Sequence, residues 1–158
     1  MPASHISSYC AVERIFTDVP PGERDDVLKT IVDRFAASGA FAADKATTVY
    51  RAVLLRERKG STGIGRGIAI PHCKTSAVTE PVMAFAKTVE PVPFGATDGA
   101  PVHSLFMVVS PLESADEHVA ILRWIAQIAR SDYYAKLLST TTDPESLYEL
   151  FLEIDGRV

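Results

Sequence analysis

The residues best equipped for chemistry are the four histidines, His5, His72, His103 and His118, and the stretch that leads into the second of them. That stretch reads Gly60-Ser61-Thr62-Gly63-Ile64-Gly65-Arg66-Gly67-Ile68-Ala69-Ile70-Pro71-His72-Cys73-Lys74. Glycines free backbone N–H groups to turn toward one point, and a concave set of such donors favours an anion. His72 follows a strand-ending proline and therefore sits at a strand exit, a usual place for function in α/β folds. Imidazole, with a pKa of about 6.5, is largely neutral and nucleophilic at neutral pH. The chemistry this suggests is attack by a histidine on an anionic group. The glycine spacing lacks the Lys-Ser or Lys-Thr of a P-loop and does not follow a strand as a dinucleotide fingerprint should. On pattern alone, an anion cradle and a plain loop with a surface histidine remain open.

Around this centre several residues have two readings each. Ser61 and Thr62 offer hydroxyls to an anion, or fix the turn; Gly63 and Gly65 offer amides. Arg56, sixteen positions before His72, reads from position alone as an ordinary basic helix end. Arg58, Lys59, Arg66 and Lys74 add positive charge. His118 lies in the first turn of a helix, whose positive end favours a neutral ring beside an anion; a solvent-facing histidine is the other reading. His103 heads a strand and shares a face with Leu105, Met107 and Val109, which reads as packing. Cys10, Cys73 and the histidines lack the short ligand spacing of a zinc site, so no metal is expected. Cys73 and His72, adjacent in extended chain, point to opposite sides and make no nucleophile pair. Trp124 reads as a core or interface residue.

The elements that must position these groups alternate between strand and helix. A strand is expected over residues 11–16, then helices over about 23–36 and 44–56. Strands follow at 68–70, 82–89 and 102–109, with a Pro- and Gly-rich loop near 91–101. Ser114-Ala115-Asp116-Glu117 reads as a capping box opening a helix with Ile121, Ile125 and Ile128 inward. Asp143-Pro144 starts a last helix, aspartate as cap and proline at its first position. The chain has 158 residues, 47% hydrophobic, 23% charged and 8% aromatic. That is enough for one domain burying about two-thirds of its unfolded surface, and it excludes disorder and a disulfide-knit scaffold. With a net charge of −4, nucleic acid is a poor partner. The N-terminal residues show no signal peptide and no apolar run is long enough to cross a membrane, so a cytoplasmic protein without membrane insertion is expected. The fold expected is α/β: three layers, α/β/α, with a mixed sheet covered by helices on both faces.

With its flanks, the central stretch resembles the enzyme IIA domains of the mannitol/fructose type (type 2) in the bacterial phosphoenolpyruvate-dependent phosphotransferase system. The stand-alone, nitrogen-regulatory kind is nearest. Arg56-Glu57-Arg58, Gly60 to Gly65 and Gly67 to His72 look like that family's phosphorylation-site segment. Pro93 to Val102 resembles its sheet connection, and Asp116-Glu117-His118 its second-histidine motif. The likeness runs from about Ile6 to Ile154, so residues 1–158 read as a single such domain. Cys73 departs from the small residue usual there, which bears on packing beside His72; its adjacency to His72 separately raises the question of a redox role. The resemblance implies that His72 accepts a phosphoryl group from a histidine-containing phosphocarrier protein, that His118 orients it and that Arg56 stabilises its charge. No cofactor is implied, because the donor carries an already activated group. The phosphoryl group then serves as a regulatory signal to a partner such as a kinase or transporter. Alternatively it passes to a separate IIB component of a fructose- or mannitol-type sugar transporter.

Overall fold

The computed structural model describes residues 5–156. The first four residues of the N-terminal stretch read for a signal lie outside that range, as do the last two. In chain order the elements are β1 (Ile15–Val19), α1 (Arg24–Ala37), α2 (Ala46–Lys59), β2 (Gly63–Gly65), β3 (Ile68–Ala69), β4 (His72–Lys74), β5 (Val82–Val92), β6 (Val102–Ser110), α3 (Ala115–Arg130), α4 (Asp132–Thr140) and α5 (Pro144–Ile154). Sheet neighbours run β1-β5-β6-β3-β2, and β4 also pairs with β6. β5 and β6 are antiparallel, whereas β1 lies parallel to β5 and both β3 and β4 lie parallel to β6. The sheet is therefore mixed.

The apolar run at Leu105–Val109 places β6 at the middle of the molecule. A strand buried on both faces needs apolar residues at every position rather than at alternate ones. Leu105, Met107 and Val109 join the core under α1 and α2, with Leu28, Phe35 and Val53. Phe106 and Val108 join the opposite core, with Ile121, Ile125, Ile128 and Phe151 from α3 and α5. Helices cover both faces, which gives the three layers.

Four local features differ from the sequence expectation. The first strand begins at Ile15, because residues 12–14 form a 3-10 turn closed by Arg14 N–H to the Ala11 carbonyl at 2.9 Å. The helical tail breaks at Ser131, whose hydroxyl accepts from the Tyr134 N–H and starts α4 as a separate helix. The capping box does not form: Ser114 makes no side-chain cap, and the Glu117 carboxylate instead accepts from the Tyr9 hydroxyl at 2.6 Å. Asp143 caps α5 as expected. The glycine stretch, finally, is a tight hairpin of β2 and β3 rather than an open loop. Its two linking residues, Arg66 and Gly67, both have positive φ, 57° and 75°, as two-residue hairpins of matching twist require. A Cβ at Gly63 would lie 2.6 Å from that of Ala96, so the glycine there serves close approach of backbone.

Candidate functional site

His72 is held by an interruption in a strand. Ile68 and Ala69 pair with Ser104 and Leu105, and His72 to Lys74 pair with Val108 to Ser110. Every partner lies 36 positions later, so β3 and β4 keep one register along β6. Between them Pro71 has no N–H to give, although its carbonyl accepts from Val108 N–H at 3.0 Å. The Ile70 carbonyl is thereby left to meet Nδ1 of His72 at 2.7 Å. A carbonyl only accepts, so Nδ1 carries the proton and Nε2 keeps its lone pair. Burial, helped by the nearby Arg56 charge, pulls the His72 pKa below the ordinary value despite the Ile70 bond. The ring is neutral at pH 7, with a lone pair free on Nε2.

His118 comes from the first turn of α3 and is only 4% exposed. Its ring centroid is 5.4 Å from that of His72, the planes inclined at 58°. Its Nδ1 is 2.7 Å from the hydroxyl of Ser110. Burial first, then the neighbouring His72 and the Lys74 charge, push its pKa down to about 4, so this ring too is neutral at pH 7. Both histidines open on a cavity of about 390 Å³ whose rim carries Arg56, Lys59 and Lys74, with Leu55 and Leu122 on its apolar sides. Among the described residues, no carboxylate lines it and none of the three cations forms an ion pair. Arg56 spends one N–H on the Gly60 carbonyl at 2.8 Å. The arrangement suits a dianionic group: one free imidazole nitrogen, a second neutral ring beside it and three positive charges with no ion pair among the described residues.

Residues 8–154 match the family described as phosphoenolpyruvate-dependent sugar phosphotransferase system, EIIA 2. The chain belongs to that family. It is 37% identical over 144 residues to a nitrogen regulatory protein of Pseudomonas aeruginosa, covering 90% of this chain and 92% of the relative. A fructose-specific EIIA component of Haloferax volcanii is 33% identical over 139 residues, covering 87% and 89%. The crystal structure of nitrogen regulatory protein IIA-Ntr from Neisseria meningitidis superposes with a TM-score of 0.83 at 26% identity, covering 92% of this chain and 98% of that one.

Not every residue singled out in this EIIA chain faces the cavity. His72, His118 and Arg56 meet there; Ser61, Thr62, Gly63 and Gly65 are not among its lining residues. Thr62 is buried and gives both its N–H and its hydroxyl to the Glu57 carboxylate, each at 2.7 Å. Ser61 donates to the Phe94 carbonyl and accepts from Gly63 N–H, both at 3.1 Å. Gly65 pairs with Ile68 inside the hairpin. The hydroxyls of Ser61 and Thr62 and the N–H groups of Thr62 and Gly63 thus help close the turn. Arg66 and Arg58 also leave the charge cluster, paired with Asp132 and Asp25 respectively. His103 is half-buried, its Nδ1 2.8 Å from the Ser104 hydroxyl, and His5 is exposed. Cys73 lines the cavity and also packs in the core under α1 and α2, and burial pushes its thiol up to about 12, which favours the protonated thiol at neutral pH. Among the described residues no helix is long and apolar enough to cross a membrane.

Two residues of this site escaped the sequence reading of its chemistry. Glu57, 1% exposed, anchors the turn that follows α2. Ser110, fully buried, reaches His118 from the end of β6. The signal available for Ser110 was a hydroxyl directly after the apolar run Leu105–Val109 and directly before Pro111.

Proposed function

We propose that this EIIA chain carries a phosphoryl group on Nε2 of His72, received from a phosphohistidine on a histidine-containing phosphocarrier protein. The observation that carries the reading is the hydrogen bond from His72 Nδ1 to the Ile70 carbonyl, which leaves Nε2 unprotonated at the cavity beside His118. In the transfer the donor's N–P bond breaks and its electron pair stays with the departing imidazole. The lone pair of His72 Nε2 forms the new N–P bond, and the proton stays on Nδ1, hydrogen-bonded to the Ile70 carbonyl. Phosphoryl transfer passes through a loose transition state with charge spread over the equatorial oxygens, so positioning and cationic groups carry most of the catalysis. Arg56, with Lys59 and Lys74, supplies that charge; His118 donates from Nε2 to a phosphoryl oxygen.

The role we favour is regulatory. The likeness to nitrogen regulatory proteins supports it, and about two negative charges added to a rim of three cations alter which protein surface can dock. Relay to a separate IIB component is the second reading, favoured by the likeness to a fructose-specific EIIA component. The test is incubation with phosphoenolpyruvate, enzyme I and the phosphocarrier protein, followed by the label. Acid-labile, base-stable label is expected on wild type and none on His72→Ala. Equal labelling of both would remove His72 from the role; an unlabelled wild type with a cognate carrier would remove the function. Adding a purified IIB domain then separates the two roles, since only a relay empties the label onto it.

A further inference from the structure

We infer that Ser110 is a positioning residue: its hydroxyl donates to His118 Nδ1 and fixes the ring as the tautomer whose proton sits on Nε2, where a phosphoryl group on His72 can accept it. The role in transfer rests on the reading of His72 given above. The hydrogen bond itself does not.

The argument begins with burial. Ser110 is 0% and His118 4% exposed, and their side chains meet at 2.7 Å. A serine hydroxyl can donate or accept. If it accepted from His118, its own proton would point into the protein with no acceptor, since among the described residues His118 Nδ1 is the only partner that hydroxyl has. Buried hydroxyls avoid that state, so the orientation that satisfies both groups has Ser110 donating. His118 is neutral at pH 7, so its single ring proton must then be on Nε2. The backbone makes the arrangement rigid. Ser110 pairs with Lys74 at the end of β4, its carbonyl accepts Thr75 N–H at 2.8 Å, and the same strand pairs Val108 with His72. One strand thus spaces both catalytic rings: β6 sets the register of His72 and orients His118. The mirror-image solution is visible for His72 itself, where a carbonyl, which can only accept, fixes the opposite tautomer. Two neighbouring histidines are therefore set in complementary forms, one with a lone pair and one with a proton toward the shared cavity.

The first experiment needs no phosphoryl donor. In 15N-labelled wild type at pH 7, the His118 resonances are expected to show a protonated Nε2 and an unprotonated Nδ1, with His72 showing the reverse. A protonated Nδ1 on His118 would overturn the inference. The second is kinetic. Ser110→Ala is expected to slow transfer onto His72 about tenfold, less than the loss when a donor to the reacting group is itself removed, with KM for the carrier unchanged. Ser110→Thr, which keeps the hydroxyl, is expected to restore the rate. Ala as fast as wild type, or Thr as slow as Ala, would overturn the role. An unlabelled wild type would sink the phosphoryl reading while leaving the tautomer result standing, so the two failures are distinguishable.

Discussion

The two ends of β6 carry nearly the same side chains and do different work with them. At its C-terminal end, Ser110 bonds His118 and Lys74 lies alongside. At its N-terminal end, Ser104 bonds His103 and Lys87 lies alongside. Both histidines are pulled below their ordinary pKa by burial, and each feels the nearby lysine. The difference is in what is already spent. Lys87 gives its ammonium protons to the carbonyls of Leu138, Ser139 and Thr141 at 2.6, 3.1 and 2.9 Å, filling the unsatisfied C-terminal end of α4. The His103 ring is pressed against Gly67, where a Cβ would lie 2.3 Å from Nε2. At the other end Lys74 is exposed and has no ion pair among the described residues, and the His118 ring faces a cavity. Residue type does not separate a site from a scaffold here. Unspent hydrogen-bonding capacity does.

The sharpest way to break that contrast is to remove each lysine. Lys87→Met strips three carbonyls of their donor, and hydrogen bonds to a charged group are worth more than neutral ones. We expect a loss of about 3 kcal/mol and, for a chain of this size, a fall in Tm of roughly 6–12 °C. Transfer by the folded protein should not change. Lys74→Met should do the converse, holding Tm within about 1 °C because it leaves no buried group unpaired while slowing transfer roughly tenfold. Thermal melts and transfer rates on the two variants check both halves. A stable Lys87→Met, or a fully active Lys74→Met, would erase the distinction.

A smaller effect comes from acid. Burial holds the His118 pKa at about 4 in the folded chain, against an ordinary value of 6.5, so between those values the unfolded chain binds the proton and the folded one does not. Protonation therefore favours unfolding: stability falls as pH drops from about 6.5 toward 4 and is fully present above 6.5. His118 contributes at most about 3 kcal/mol to that slope. His72 and His103, also lowered, act in the same direction. Denaturant unfolding at pH 7 and 4.5 should show His118→Gln flattening the slope more than His103→Gln, because His118 is the more deeply buried ring. The reverse order would mean that the burial difference between the two ends had been misjudged.

How much of this could be read from the sequence follows from the range of the interactions. The apolar run at 105–109 and the caps at 143–144 act within a few residues, and they placed β6 and α5 correctly; Pro71 ends β3 as expected, but His72 opens β4 instead of leaving the sheet. The motifs shared with the EIIA family brought His118 and Arg56 to the same cavity. The rest depends on chain reversals that composition does not encode. Glu57 stands between two arginines at a helix end, a pattern that suggests a solvated face, and it is buried only because the chain turns back at Gly60 to present Thr62. Lys87 finds its acceptors 51 to 54 positions away. The glycine stretch was ambiguous for a different reason: left-handed φ suits an anion nest and a tight hairpin equally, and the choice depends on whether the amides find protein partners.

Arg66 offers the mildest test and the one aimed at that ambiguity. It holds φ of 57°, a conformation that crowds Cβ against the next carbonyl and costs most L-residues about 1 kcal/mol, and that asparagine tolerates better. Its exposed pair with Asp132 returns a few tenths of a kcal/mol by the usual worth of surface ion pairs. Asn-Gly is the favoured sequence of a two-residue hairpin turn, so Arg66→Asn should stabilise the chain by about 0.5 kcal/mol and raise Tm by roughly 1–2 °C. If the hairpin is scaffold, as its spent donors argue, the transfer rate onto His72 will be that of wild type. A slower transfer at an unchanged or higher Tm would return the hairpin to the site and show that its amides reach the phosphoryl group during the reaction.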